Sequence, residues 1–347
     1  MFKILKRKKD NQDEEKGKVG SKSQKSASRR KKKESPKPWG KKERLLILFI
    51  LIITMVSSLI LAMQSRSWKL PGLPKLSLPK ISFFEGETIV IEGNKIQKQE
   101  YDQSQEIVAD FKSTTDGYSG IYSLYVYSLD QEYSFGVNKR DEQTAASLIK
   151  LPVMIGLYLE EEKGNIDLDD VYSLKNEDRV SGAGSLYNKS EGYKISYREL
   201  IALMGNQSDN TAFRIAVNLL GEEKIEEYIK EIGMTHTSYE DNITTPEDVG
   251  LLLTKLWQGE LISKVNKQEL LEYLSDTVFE QWLVAGIPDS VIVPHKFGRE
   301  VHVVNDAGIV LTDNPYVVVL MTQGVIEREA DELIPTLSKN IFERMSN

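Results

Sequence analysis

Apolar positions change their spacing several times along the chain, and each change marks an element. Leu45 to Met63 is a run of 19 residues with no charge and no proline. At about 1.5 Å per helical residue it can cross a ~30 Å hydrocarbon layer. From Gln103 to Lys112, Ile107, Val108 and Phe111 share one face of an amphipathic helix. Ile121 to Ser128 alternates and is rich in Tyr and Val, and Asp130-Gln131 then turns the chain into Tyr133 to Val137, which predicts a hairpin. Helical spacing dominates from Ala145 to about Thr254, with helices expected over Ser147 to Glu162, Tyr197 to Met204, Thr211 to Leu219 and Glu222 to Ile232. Three strands follow, near Val291 to Phe297, Glu300 to Leu311 and Tyr316 to Gln323. A last amphipathic helix runs to about Arg344, with Pro335 in or near its first turns. Strands at both ends with helices between them predict one sheet built from distant segments and a helical subdomain inserted into it. A cleft between the two parts is the natural place for a site.

Charge divides the chain into two compartments. The first 44 residues carry 18 Lys/Arg against 6 Asp/Glu, so a chain-wide net charge of −7 leaves −19 after Arg44. Basic residues crowd the near end of the apolar run and only Arg66 and Lys69 follow closely, so the N-terminus is expected in the cytoplasm and the acidic remainder outside the cell membrane. The run exceeds the usual apolar core of a signal peptide, and Ala62-Met63-Gln64 is a poor cleavage site, so an uncleaved anchor over residues 45–65 is expected. Residues 1–44, rich in Lys, Ser and Glu, read as a disordered basic tail. Its run Arg29 to Lys33 fits topology and anionic lipid better than RNA, so no nucleic-acid partner is expected. Residues 66–100, punctuated by Pro71, Pro74 and Pro79, read as a stalk, and 101–347 as the folded domain. Cysteine is absent, which removes disulfides, lipoprotein attachment, thiolate catalysis and Cys-based zinc sites.

Three short motifs carry candidate chemistry. Ser147-Leu148-Ile149-Lys150 is a Ser-x-x-Lys, a pattern that Ser28 to Lys31 and Ser77 to Lys80 also match. Only Ser147 opens a strongly apolar helix, where the three-residue spacing brings Ser and Lys onto one face. A lysine whose pKa is lowered there can take the hydroxyl proton, and the helix N-terminus favours developing oxyanion charge. Ser208-Asp209-Asn210 and Lys296-Phe297-Gly298 follow in order. Acyl transfer by Ser and Lys needs a second hydroxyl to pass a proton to the leaving nitrogen, an amide to grip the substrate, and a cation for its carboxylate. No metal or other cofactor is expected: His236, His295 and His302 lack the tight spacing of a zinc site, and His295 reads as a strand or supporting residue beside Lys296.

From about Gln103 to the C-terminus the sequence resembles the class A β-lactamases, within the wider group of penicillin-binding serine acyltransferases. Besides the three motifs, Gly184-Ser185-Leu186, Ser208 to Ala212, Thr244 to Asp248, and His295-Lys296 ahead of Asn305 to Val310 look like that family's landmarks, in its order. The resemblance implies an α/β sandwich: a five-stranded antiparallel sheet with an inserted helical subdomain, here preceded by one transmembrane helix. It makes Ser147 the nucleophile, Lys150 its activator, Ser208 the relay to the leaving group, Asn210 a ligand of the substrate amide and Lys296 the carboxylate-side cation. Backbone N–H groups of Ser147 and Arg299 would form the oxyanion hole beside Gly298, and Tyr187, after Gly184-Ser185-Leu186, would wall the substrate cleft.

Two departures bear on activity. Phe297 stands where the family carries a hydroxyl residue, and Phe cannot donate a hydrogen bond to a carboxylate. Between Asn210 and Thr244 the chain is shorter than in the family by about the length of the omega loop, and no Glu-x-x-x-Asn occurs there. Glu240 with Asn242 is the nearby candidate for a water-activating base, though a plain surface turn is the expected reading. The sequence therefore points to a membrane-anchored serine hydrolase acting on β-lactams or D-Ala-D-Ala-type cell-wall peptides, with slow deacylation. The alternative is a catalytically reduced cell-envelope binding or scaffold protein on the same fold.

Overall fold

The computed structural model describes residues 41–65 and 98–346, which fall in two compact units, residues 1–68 and 69–347. In the first unit helix α1, Lys41–Ser65, contains the whole apolar run. Among the described residues no helix is long and apolar enough to cross a membrane, and the side chains of residues 58–65 lie outside the described set. The basic tail up to Gly40 and the stalk from Arg66 to Gln97 also lie outside the described residues.

The second unit opens with α2 (Lys98–Thr115) and the hairpin β1 (Ile121–Ser128) and β2 (Tyr133–Val137). A helical stretch follows, interrupted by short strands: β3 (Gln143–Thr144), α3 (Lys150–Glu162), β4 (Val171–Ser173), β5 (Lys194–Ser196), α4 (Tyr197–Asn206), α5 (Asn210–Leu220), α6 (Glu222–Ile232), β6 (Ile243–Thr244), α7 (Pro246–Gln258) and α8 (Lys264–Ser275). Strands β7 (His295–Glu300), β8 (Val303–Val310) and β9 (Tyr316–Gln323) and helix α9 (Glu327–Met345) complete the chain. The sheet has five antiparallel strands in the order β2-β1-β9-β8-β7, so its first and last segments meet at its centre, where Leu124 opposes Leu320.

Alternation along the strands decides which helices cover which face. Tyr316, Val318 and Leu320 of β9 join Ile107, Val108 and Phe111 of α2 and Leu333, Ile334 and Leu337 of α9 in one core. Val317, Val319 and Met321 point the other way, into the core shared with α3, α4, α5 and α7. Both faces are covered, which is why β8 and β9 read as nearly continuous apolar runs.

Element boundaries differ from the sequence reading where hydrogen-bonding capacity outweighs apolarity. Strand β7 begins at His295 and not Val291, because Pro294 has no N–H to give the ladder. The β7–β8 hairpin closes at the Glu300–Val303 pair, with His302 at φ 62° in the turn. Pro335 lies inside α9 and not in its first turns, because Ala330, Leu333 and Ile334 extend the buried face ahead of it. Helix α8 has too few buried positions, Asn266, Leu270 and Leu274, to announce itself by periodicity.

Leu320→Ala, at a position 2% exposed in the middle of the sheet, is expected to cost about 2–5 kcal/mol by leaving a cavity between well-packed helices. A urea melt of the full chain checks it through a lowered midpoint at unchanged slope.

Candidate active site

Ser147 sits in a 3-10 turn, Ala146–Ile149, immediately before α3. Ala146 has φ 49°, a conformation an L side chain rarely adopts, and surrounding bonds hold it there. Ala145 N donates to Asn242 O at 2.9 Å, while Asn305 Nδ2 donates to Thr144 O at 2.9 Å and Ala145 O at 3.2 Å. Asn305 is itself fixed in β8, its Oδ1 accepting from Thr322 N at 2.9 Å. Gly298 explains how closely the edge strand approaches: a Cβ there would lie 2.8 Å from Ser147 N.

The second motif is positioned by its aspartate. Asp209 is fully buried and caps α5, with Oδ1 accepting from Thr211 N at 2.8 Å and Ala212 N at 2.9 Å. Its other oxygen accepts from Leu186 N at 2.8 Å, which ties in the segment around Gly184, where a Cβ would strike the Asp209 carboxylate at 2.1 Å. Ser208, just before this cap, is held at φ 55°.

Lys150 joins the two motifs. Its Nζ lies 3.0 Å from Ser147 Oγ, 3.2 Å from Ser208 Oγ, 2.6 Å from Ser208 O and 2.7 Å from Asn210 Oδ1. Asn210 is oriented in turn by donating to Ser181 O at 3.0 Å. Burial pushes the Lys150 ammonium down to about 7, with Asp209 and Glu300 opposing the drop by their charge. A lysine near neutrality can exist as a free amine with a lone pair, and Ser147 Oγ is within reach of it.

Ser147, Lys150, Ser208 and Asn210 thus come together, and Lys296 lies near enough to Lys150 to feel its charge while making its own hydrogen bond elsewhere. Its Nζ donates to Phe297 O at 2.8 Å, sits 4.2 Å from the centre of the Phe297 ring, and hydrogen-bonds neither serine. Complete burial, and next the nearby Lys150 charge, hold its pKa well below the usual lysine value. Phe297 is held by aromatic packing, 5.1 Å from Phe279 and 6.4 Å from Trp282 between ring centres. The Arg299 side chain turns away to Asp331 and lies 5.1 Å over the Trp282 ring, leaving only its backbone for the cleft. His295, 1% exposed, links Asp306 Oδ1 at 2.8 Å to Thr277 Oγ1 at 2.9 Å and is an internal strut of the strand.

A cavity of about 320 Å³ opens beside Ser147 and Lys150. Tyr187 does not line it: Asp209 pins Leu186 inward, and the next residue of that turn is left 41% exposed. Phe213 and Tyr239 are the aromatic residues of the lining. Glu240 also belongs to the lining, so the exposed turn that carries it is part of the cleft. Glu222, Asn242 and Glu300 share that wall, and nothing in the local sequence of Glu222 or Glu300 marks them, because the wall joins segments far apart in the chain.

The model of the Beta-lactamase enzyme family matches residues 104–345. The chain belongs to this family. A solved structure of PBP-A is 26% identical, covering 70% of this chain and 95% of that one at a TM-score of 0.64. A point mutant of PBP-A, solved as an acyl-enzyme complex with penicillin G, is also 26% identical, covering 70% and 96% at a TM-score of 0.63. An ancestral class A β-lactamase, 19% identical, covers 68% of this chain and 99% of its own at a TM-score of 0.65, a likeness of fold. A search of curated protein sequences returned no match. The chain is therefore a β-lactamase-like, penicillin-binding-type serine hydrolase by family, with a class A fold.

The Lys150 amine sets the first pH prediction. Below pH 7 its lone pair is protonated and above it is free, so the rate of covalent labelling of Ser147 by a β-lactam should rise with pH through about 7 and level off. Lys150→Arg, which stays protonated throughout, should lose labelling by about 10²-fold or more at every pH. Stopped-flow or quenched mass spectrometry between pH 5 and 9 reads both.

Proposed function

We propose that this protein is a membrane-anchored, extracellular serine hydrolase that forms an acyl-Ser147 intermediate with β-lactams or D-Ala-D-Ala-type cell-wall peptides and releases it slowly. The observation that carries this reading is the buried amine of Lys150 between two serine hydroxyls, at 3.0 Å and 3.2 Å. Lys150 takes the Ser147 proton as Oγ attacks the carbonyl. Ser147 N–H and Arg299 N–H receive the oxyanion, and Ser208 passes a proton to the leaving nitrogen as the tetrahedral adduct collapses. The 26% identical PBP-A mutant, solved as a penicillin G acyl-enzyme, supports the covalent route.

Slow release follows from how the carboxylates of the cleft are held. Deacylation needs a water and a base fixed against the ester, and general-base catalysis is worth about 10²- to 10⁴-fold. Glu222 and Glu240 are exposed and neither carboxylate hydrogen-bonds a described residue, so nothing preorganises them. Phe297 supplies no hydroxyl to a substrate carboxylate and Lys296 is engaged by Phe297 O, so acylation needs a high concentration of antibiotic.

Fluorescent penicillin should label the full-length chain covalently, the adduct should persist on a gel, and Ser147→Ala should abolish it. Rapid turnover of a reporter cephalosporin without an adduct, lost in Glu240→Gln, would instead make the protein an efficient β-lactamase with a relocated base. No adduct and no turnover at any concentration would favour a scaffold.

Anchoring rests on the sequence: the uncharged run of 19 residues, all within α1, and the +12 tail before it. Protease added to spheroplasts should remove the domain and spare the tail. Digestion of the tail alone would reverse the topology.

A further inference from the structure

The cavity beside Ser147 carries three carboxylates in its lining. Glu222, Glu240 and Glu300 line it, and the one basic residue of the lining, Lys150, is committed to Ser147, Ser208 and Asn210. Arg214, near enough to act on Tyr239, is exposed and outside the lining. The turn that carries Glu240 is fixed from behind: Glu226 accepts from Tyr239 N at 2.7 Å and Glu240 N at 3.2 Å. Its backbone is therefore held, while the Glu240 carboxylate hydrogen-bonds none of the described residues.

Asn242 fixes the Glu300 carboxylate in the same wall. Its Nδ2 donates to Glu300 Oε1 at 2.8 Å, which settles the amide orientation, since the flipped amide would set oxygen against carboxylate. The Asn242 Oδ1 left by that bond is shut off from solvent and has no hydrogen-bond partner among the described residues. Phe213 and Tyr239, with ring centres 6.2 Å apart at 56°, add π faces to the same wall, surfaces that attract cations. Ser208 and Lys296, on the leaving-group side, are not in the lining, so the cavity receives the part of the donor that stays on Ser147.

We propose that this cavity selects acyl donors carrying a protonated amine on the retained acyl portion, held by Glu222, Glu240, the Asn242–Glu300 pair and the Phe213–Tyr239 face. The proposal deepens the acyl-transfer reading and rests on it. It also gives the free carboxylates a use that needs no fixed water: long-range attraction tolerates mobile side chains, whereas base catalysis does not.

The test uses the full-length chain in detergent and two β-lactams that differ only in their acyl side chain, one ending in a primary amine and the other in its N-acetyl derivative. Intact-mass spectrometry reads the second-order rate of Ser147 adduct formation. Each solvent-open charge pair is worth up to about fivefold, so the amine should react roughly tenfold faster at low salt, with the ratio shrinking as salt is raised. In Glu222→Gln/Glu240→Gln the ratio should fall towards one. Equal wild-type rates, or a ratio indifferent to salt, would overturn the specificity while leaving acyl transfer intact. An undiminished ratio in the double variant would overturn the assignment to these carboxylates. Adducts with neither probe would bring down the acyl-transfer reading and this one with it. The salt series on the wild-type chain decides the matter even if the double variant does not fold.

Discussion

An ammonium group sealed in a protein interior loses several kcal/mol of hydration, and the protein must either supply charge and acceptors or let the proton go. Lys150, 2% exposed, is held between those choices. Four oxygens lie within 3.2 Å of Nζ, and Asp209 and Glu300 are the acidic groups acting on it. The compromise leaves the lysine near neutrality. Most of the surrounding architecture can be understood as holding it there.

That holding is done by packing on both sides of the cleft. On the sheet side, Asn305 bonds the backbone before the nucleophile and Gly298 admits the 3-10 turn against β7. On the helical side, the buried Asp209 carboxylate caps α5 and also fastens Leu186, so one side chain sets the level of Ser208, Asn210 and the segment beyond. Positive φ angles at Ala146 and Ser208 lie where these two supports meet, as expected when surrounding structure over-determines a strained backbone.

The two sides of the nucleophile differ in kind. Towards Lys296 the site is dry and aromatic: Phe279, Trp282 and Phe297 pack together, and the cation is satisfied by a neighbouring carbonyl. Towards Glu240 it is open, acidic and only partly held, with rigid backbone under free carboxylates. A short turn stands in that wall, and short turns leave space.

Much of the fold was legible because burial writes itself into the sequence: β1, β2 and helix α6 follow from alternation or helical spacing, and β9 from a nearly continuous apolar run. Ser147, Lys150, Ser208 and Asn210 were legible because local motifs of three or four residues fix their relative position. What stayed hidden depends on contacts between segments far apart in sequence. Lys296 read as a substrate cation and Phe297 as the loss of a hydroxyl, and only the fold shows the packing by Phe279 and Trp282 and the backbone carbonyl that these two touch. Tyr187 read as a cleft wall, and the fold leaves it 41% exposed next to Leu186, outside the lining of the cavity beside Ser147. Glu222 and Glu300 lie in segments that share no periodicity with the turn of Glu240 and Asn242, and only the closing of the β7–β8 hairpin against that turn before β6 makes them one surface. A sequence encodes what each residue prefers within reach of its neighbours, whereas a wall assembled across 78 positions, from Glu222 to Glu300, exists only once the chain has folded.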